Sequence, residues 1–75
     1  MNEEERKIIS LIQSMPVNYL RASVDSLKNR EYETVINIIS LIREKFNRNP
    51  DLHISVDMDA LDRAEHILKQ LYEKL

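Results

Sequence analysis

The amino-acid sequence predicts an all-α domain, and three observations lead to this prediction. The chain of 75 residues contains no glycine, on which primed hairpin turns and phosphate-binding loops depend. Apolar residues recur at spacings of three and four, which is the period of an amphipathic helix. Pro16 and Pro50 divide this pattern, because the residue before a proline disfavours the helical conformation. We expect a single domain over residues 1–75, formed by a compact bundle of four helices at about residues 3–15, 18–28, 31–48 and 58–74.

The predicted third helix is the centre of this bundle. Its apolar residues cover more than half of the helix circumference, so it must pack against neighbours on at least two sides. On this periodicity we expect Ile39 and Ile42 to be almost fully buried, and Asn37 and Glu44 to be exposed. The main apolar stripe consists of Tyr32, Val35, Ile39, Ile42 and Phe46, and Ile36, Ile38 and Leu41 widen it on its two sides.

Polar residues before the apolar runs indicate where the other helices begin. Asn2 and Glu5 have capping-box spacing at the start of helix 1. Asn18 is the expected N-cap of helix 2, and Asp57 that of helix 4. The short polar connection at 28–30 predicts that helices 2 and 3 form an antiparallel hairpin. Helix 2 is expected to direct Leu20, Val24 and Leu27 inward, with Val17 packing at its entrance.

The segment 51–56 is ambiguous, because apolar and polar residues alternate in it as they do in a short strand. A strand without a partner cannot form a sheet. We therefore interpret this segment as an extended crossing beneath the bundle. Pairing with its own copy in a dimer is the alternative.

Composition restricts the function classes that remain. Without cysteine the chain has neither disulfides nor thiolate metal ligands, so a domain this small depends on efficient packing or on oligomerisation. Eleven basic and thirteen acidic residues are mixed along the chain, for a net charge of −2, which argues against a dominant polyanion-binding role. No signal-peptide pattern and no apolar run long enough to span a membrane occur. We expect a soluble, cytoplasmic protein.

The residues that could carry chemistry do not form a catalytic motif. Asp62 and His66 share a helix face at a spacing of four, but this face points away from the leucine stripe. Two exposed ligands without a third and fourth hold zinc poorly. The serines lack any motif that pairs them with a histidine and a carboxylate. We therefore predict no enzymatic activity, no metal and no cofactor, although His53, Asp51, Asp57 and Asp59 also lie in this part of the chain.

Nucleic-acid binding is the main rival interpretation, since the order helix, short turn, helix over residues 18–48 resembles a helix-turn-helix. A recognition helix presents polar side chains to base edges, whereas helix 3 is the most apolar element here. Arg43, Lys45 and Arg48 also point in different directions around that helix. Nucleic-acid binding is thus not expected of one chain, but a dimer could gather these cations into one patch.

A second resemblance covers residues 16–49. Tyr19, Ala22 and Ser23, followed by Tyr32, Val35, Ile39 and Ile42, resemble the helix pair of a tetratricopeptide unit in order and spacing. The sequence departs from that pattern at Ser26, at Arg30 and at Pro50, and stable tetratricopeptide arrays need at least three repeats where one is visible. An ordinary antiparallel helix pair is the alternative. The resemblance implies a protein-binding role without specifying a ligand.

The wide apolar arc of helix 4 leads to a hypothesis about function. Its leucines repeat every seven residues and could form a seam with a second copy, which predicts a homodimer; closure of the same stripe by helix 1 is the monomeric alternative. We expect a small regulator or adaptor that binds a partner protein through apolar helix faces. A small dimeric DNA-associated factor and a structural self-assembling subunit are the alternatives. The candidate interface residues are Leu52, Ile54, Val56, Met58, Leu61, Ile67, Leu68, Leu71 and Leu75.

Overall fold

Four α-helices make up most of the structure, a computed structural model that describes residues 2–49, 51 and 56–74. No strand occurs within these residues, and the predicted all-α bundle is confirmed. α3 packs against α2 on one side and against α4 on the other, and α1 completes the bundle by packing on α4. The helices are α1 at Glu3–Leu11, continued by a 3₁₀ turn at Ile12–Ser14, α2 at Val17–Lys28, α3 at Tyr32–Arg48 and α4 at Met58–Glu73.

Two of the three predicted N-caps are present. The side-chain oxygen of Asn2 accepts a hydrogen bond from the backbone N–H of Glu5 at 2.8 Å, and that of Asp57 accepts one from Ala60 at 3.0 Å. The prediction of Asn18 as the cap of helix 2 is wrong, because α2 begins one residue earlier, after Pro16. The proline ring fixes its own φ angle, and the Pro16 carbonyl accepts the first intrahelical hydrogen bond at 2.9 Å.

The interior of α3 agrees with the sequence pattern. Ile39 and Ile42 are 0% and 1% exposed, whereas Asn37 and Glu44 are exposed to solvent. The core extends over all the helices and the 3₁₀ turn. Its buried residues are Ile8, Ile12, Met15, Leu27, Tyr32, Val35, Ile39, Ile42, Leu61, Ala64, Leu68 and Leu71.

The inward face of α2 differs from the prediction. Leu27 is buried as expected, but Leu20 and Val24 are only half-buried. The other buried position is Ser23, whose hydroxyl donates to the sulfur of Met15 at 3.7 Å. The small side chain of Ser23 lets the 3₁₀ turn pack closely against α2. The buried face of α2 therefore includes Ser23 and Leu27, and not Leu20 and Val24 as predicted.

Two apolar residues that were expected to pack are largely exposed. Val17 is 68% exposed instead of packing at the entrance of α2, and Leu41, placed by the sequence on the edge of the central stripe, is 59% exposed. For Leu41 the packing order agrees with this exposure, because α2 and α4 are the helices that pack on α3, whereas α1 packs on α4. Both residues therefore contribute to the surface.

The predicted extended crossing falls largely on residues 52–55, which lie outside the described residues. Its described end is attached to the bundle, since the backbone N–H of Asp57 donates to the hydroxyl of Ser14 at 3.1 Å. Val56 packs partly against the core. The start of α4 is thus connected to the end of the 3₁₀ turn.

The turn between α2 and α3 is a Schellman motif without glycine. The Glu31 N–H donates to the Ser26 carbonyl at 2.8 Å, and the Arg30 N–H donates to the Leu27 carbonyl at 3.0 Å. Arg30 has a φ angle of 58°, in the left-handed region where a side chain crowds the following carbonyl. The chain reverses here at the expense of local backbone strain.

The cap of α4 is testable with two substitutions. Asp57→Ala removes the acceptor for the Ala60 N–H and should lower the free energy of unfolding by about 0.5–2 kcal/mol. Asp57→Asn keeps an acceptor oxygen and should lower it much less. Chemical denaturation followed by circular dichroism measures both, and equal losses would contradict the capping role.

The strain at Arg30 predicts a stabilising substitution. The left-handed conformation costs a residue with a Cβ atom about 1–2 kcal/mol, and the greater freedom of glycine in the unfolded chain offsets about 0.5–1 kcal/mol of that. Arg30→Gly should therefore raise the free energy of unfolding by about 0.5–1 kcal/mol. The control Arg30→Ala removes the same charge but keeps the Cβ atom, so it should give no such gain. A gain of equal size in both variants would show that the charge, and not the backbone, is responsible.

Candidate functional site

Three of the six described members of the candidate interface lie inside the folded chain. Leu61 and Leu68 are fully buried, and Leu71 is buried at the edge of the core. α1 and α3 both pack against α4, and these three leucines belong to the core of the single chain. Val56, Met58 and Ile67 are half-buried, and Leu52, Ile54 and Leu75 lie outside the described residues.

An ion-pair network joins α3 to α4 and was not predicted from the sequence. Arg43 contacts the carboxylate of Asp62, and its Nη1 lies 3.1 Å from Oε2 of Glu65. Lys69 lies 3.3 Å from the same glutamate, on its other oxygen. The partners of Arg43 are separated from it by 19 and 22 positions, so no local spacing in the sequence signals the contact.

These and one further ion pair compensate much of the positive charge on the surface of α3. Arg43 faces two carboxylates, and Arg48 lies 2.6 Å from Glu44 on its own helix. Lys45 is exposed, with no carboxylate within ion-pair distance among the described residues. The cations of α3 are therefore mostly compensated, and the described part of the helix presents no continuous basic patch for a phosphate backbone.

The predicted side-chain pair between Asp62 and His66 does not form. Asp62 contacts Arg43 instead, and Nε2 of His66 lies 3.3 Å from the amide nitrogen of Gln70. Among the described residues no group of three or more histidines and carboxylates is arranged to hold a metal ion. His53 lies outside those residues. No helix among them is both long and apolar enough to cross a membrane.

A buried carboxylate and a buried phenol lie close to the turn between α2 and α3. Glu5 is 3% exposed and lines a polar concavity of about 390 Å³ together with Asn2, Lys28 and Arg30. Burial raises the pKa of the Tyr32 phenol above its usual 10.0, and the negative charge of Glu5 raises it further. The sequence pattern placed Tyr32 in the core but did not indicate that Glu5 is buried.

The most exposed large apolar residues border one surface, which we name the α2–α3 surface. It consists of Val17, Tyr19, Leu41, Lys45 and Phe46. Two adjoining concavities of about 390 and 400 Å³ share Tyr19 and Lys45 as lining residues, so Val17 at one end is continuous with Leu41 at the other. The sequence alone did not indicate that Leu41 is exposed, because it does not show which side of α3 the other helices leave uncovered.

A second depression lies between α1 and α4, and we name it the α1–α4 groove. It has a volume of about 560 Å³, and Leu11 and Ile67 form its apolar floor. Lys7, Asp62, Arg63 and His66 surround this floor. Ile67 is the one described candidate interface residue that lines it. The groove shares no lining residue with the α2–α3 surface.

Comparison with protein-family models, with curated proteins and with solved structures gave no match. The antiparallel pair formed by α2 and α3 is present. This pair is the part of the chain that resembles a tetratricopeptide unit, and the resemblance stays a prediction. The α2–α3 surface and the α1–α4 groove are the features of this chain that bear on its function.

The raised pKa of Tyr32 predicts a loss of stability in alkali. Because the phenol holds its proton more tightly in the folded state, its contribution is complete below the usual pKa of 10.0 and is lost as the pH rises through the folded-state value. The free energy of unfolding should thus decline above about pH 10. Tyr32→Phe should reduce the decline, whereas Tyr19→Phe, which keeps Tyr32, should retain it. Denaturation series at increasing pH measure this, and equal declines in the parent and Tyr32→Phe would contradict the assignment.

Proposed function

We propose that this chain is a small cytoplasmic interaction module, a regulator or adaptor that binds a partner protein through the α2–α3 surface. The observation that carries the proposal is the exposure of Val17 and Leu41, 68% and 59%, on one continuous surface. Contiguous apolar residues rimmed by polar ones are typical of protein interaction sites. A metal-binding role has no comparable support, since the described residues contain no group of three or more histidines and carboxylates that could hold a metal ion.

The chemistry around this surface favours a partner with apolar anchors and carboxylates. Tyr19 and Phe46 are half-buried, so each offers a ring edge beside the two exposed aliphatic side chains. Aromatic rings give large contact areas at low cost in conformational entropy. The exposed ammonium group of Lys45 lies between the two concavities. An amphipathic helix with an acidic edge would meet both features, as in helix-in-groove recognition.

The alternative functions, a DNA-associated factor and a self-assembling subunit, need other surface features. A DNA-associated factor needs uncompensated cations, whereas Arg43 and Arg48 contact carboxylates. A self-assembling subunit or homodimer cannot use Leu61 and Leu68 unless the bundle opens, because both are fully buried. The homodimer stays a prediction. A particle mass near that of one 8.9 kDa chain, unchanged on concentration, would contradict it.

Site-specific photo-crosslinking tests the proposed function. A photoreactive phenylalanine analogue at Leu41 should form adducts with another protein in cells that naturally make this chain. The same analogue at Asn47, an exposed position of α3 that lines neither concavity and lies about 120° around the helix from Leu41, is the matched control and should form few or none.

The identity of the adduct distinguishes the alternatives. A distinct protein attached at position 41 supports the interaction module. An adduct with a second copy of this chain supports the self-assembling subunit, and an adduct with DNA supports the DNA-associated factor. Equal labelling at positions 47 and 41, or none at 41, would refute the α2–α3 surface as the binding site.

A further inference from the structure

We propose that the α1–α4 groove is a second docking site, independent of the α2–α3 surface, and that it binds an acidic amphipathic helix of a partner protein. The groove combines an apolar floor with two exposed cations, Lys7 and Arg63. Two binding surfaces without common residues would allow one small chain to hold two partners at once.

The geometry of the groove follows from the antiparallel packing of its two helices. Leu11, at the end of α1, lines the groove together with Arg63 from the first half of α4, while Asn2, before the start of α1, shares a concavity with Leu71 near the end of α4. In each helix a cation precedes an apolar residue by four positions, Lys7 before Leu11 and Arg63 before Ile67. Four residues advance a helix by about 6 Å. The two cations therefore lie at opposite corners of the floor, diagonally across it.

The charges around the groove favour an anionic partner. Neither Lys7 nor Arg63 has a carboxylate within ion-pair distance among the described residues. Asp62, the carboxylate that lines the groove, already contacts Arg43 of α3. The groove is thus locally positive, although the whole chain has a net charge of −2. Such a local field attracts carboxylates and repels basic segments.

The short apolar floor of the groove suits a helix as its occupant. Leu11 and Ile67 are half-buried and leave a short apolar strip, which one or two apolar side chains at a spacing of three or four can cover. In the partner helix, carboxylates one turn before and one turn after these apolar side chains would reach Lys7 and Arg63 at the two corners of the floor. A second copy fits less well, because a two-fold contact through this patch would bring the cations of one copy close to those of the other.

Two synthetic peptides of about 15 residues test the proposal. Both have leucines at helical spacings of three and four. The remaining positions are mainly glutamate in the acidic peptide and lysine in its basic twin, and each peptide carries a fluorescent label. Fluorescence anisotropy titrations against the whole chain should give at least tenfold tighter binding for the acidic peptide.

Substitutions in the groove locate the binding site. Lys7→Glu and Arg63→Glu should each weaken binding of the acidic peptide about tenfold, and the double variant should reverse the preference towards the basic twin. Arg21→Glu makes the same change of charge at a position of α2 that lines neither surface and is the matched control, which should leave the titration unchanged. All three positions are exposed, and circular dichroism checks that each variant is folded.

Several results would overturn the inference. These are equal affinity for the two peptides, no saturable binding of the acidic peptide at about 1 mM, or a loss in Arg21→Glu as large as that in Lys7→Glu. A particle of twice the chain mass that Arg63→Glu dissociates would identify a second copy as the occupant, and would also refute it. None of these outcomes bears on crosslinking at Leu41, so the two proposals fail separately.

Discussion

The packing of α3 against α4 is the interaction on which the rest of the structure depends. Ile39 and Ile42 of α3 and Leu61 and Leu68 of α4 belong to one core and are 0–1% exposed. Burial of one such side chain contributes about 1.5–3 kcal/mol, a large share of the stability of a small domain. At the polar edge of the same pair, Arg43 joins the two helices through Asp62 and Glu65. The two outer helices then attach to this inner pair, α2 to α3 and α1 to α4.

This arrangement determines where apolar residues remain accessible. Each inner helix is covered on one side by its inner partner and on another by an outer helix, so the remaining side faces solvent. On α3 that side includes Leu41, and on α4 it includes the edge occupied by Ile67. The α2–α3 surface and the α1–α4 groove arise in this way, at the junctions between an inner helix and an outer one. Both surfaces are therefore consequences of the same packing order.

The sequence was sufficient to predict the helices but not to predict which apolar surfaces stay exposed, and the reason is physical. Periodicity shows which residues of a helix share an apolar face, and this correctly predicted the burial of Ile39 and Ile42. It does not show which neighbour covers that face. Leu41 was expected to pack and is exposed, whereas Leu61, Leu68 and Leu71 of α4, proposed as interface residues, belong to the core of the single chain. Likewise, the contacts of Arg43 depend on residues distant in the sequence, and no local spacing encodes them.

The separation between core and surface also explains how so small a chain could tolerate a binding role. Its margin of stability depends on residues of the inner pair such as Leu68, where an added charge would be buried without a partner. Leu41 and Lys7 lie outside that core, and their exposure means that the native state loses little packing when they change. Binding residues on the outer faces can therefore vary while Ile39 and Leu68 keep the bundle closed. A four-helix bundle in which all apolar residues were buried would be more stable, but it would have no apolar surface with which to recognise a partner.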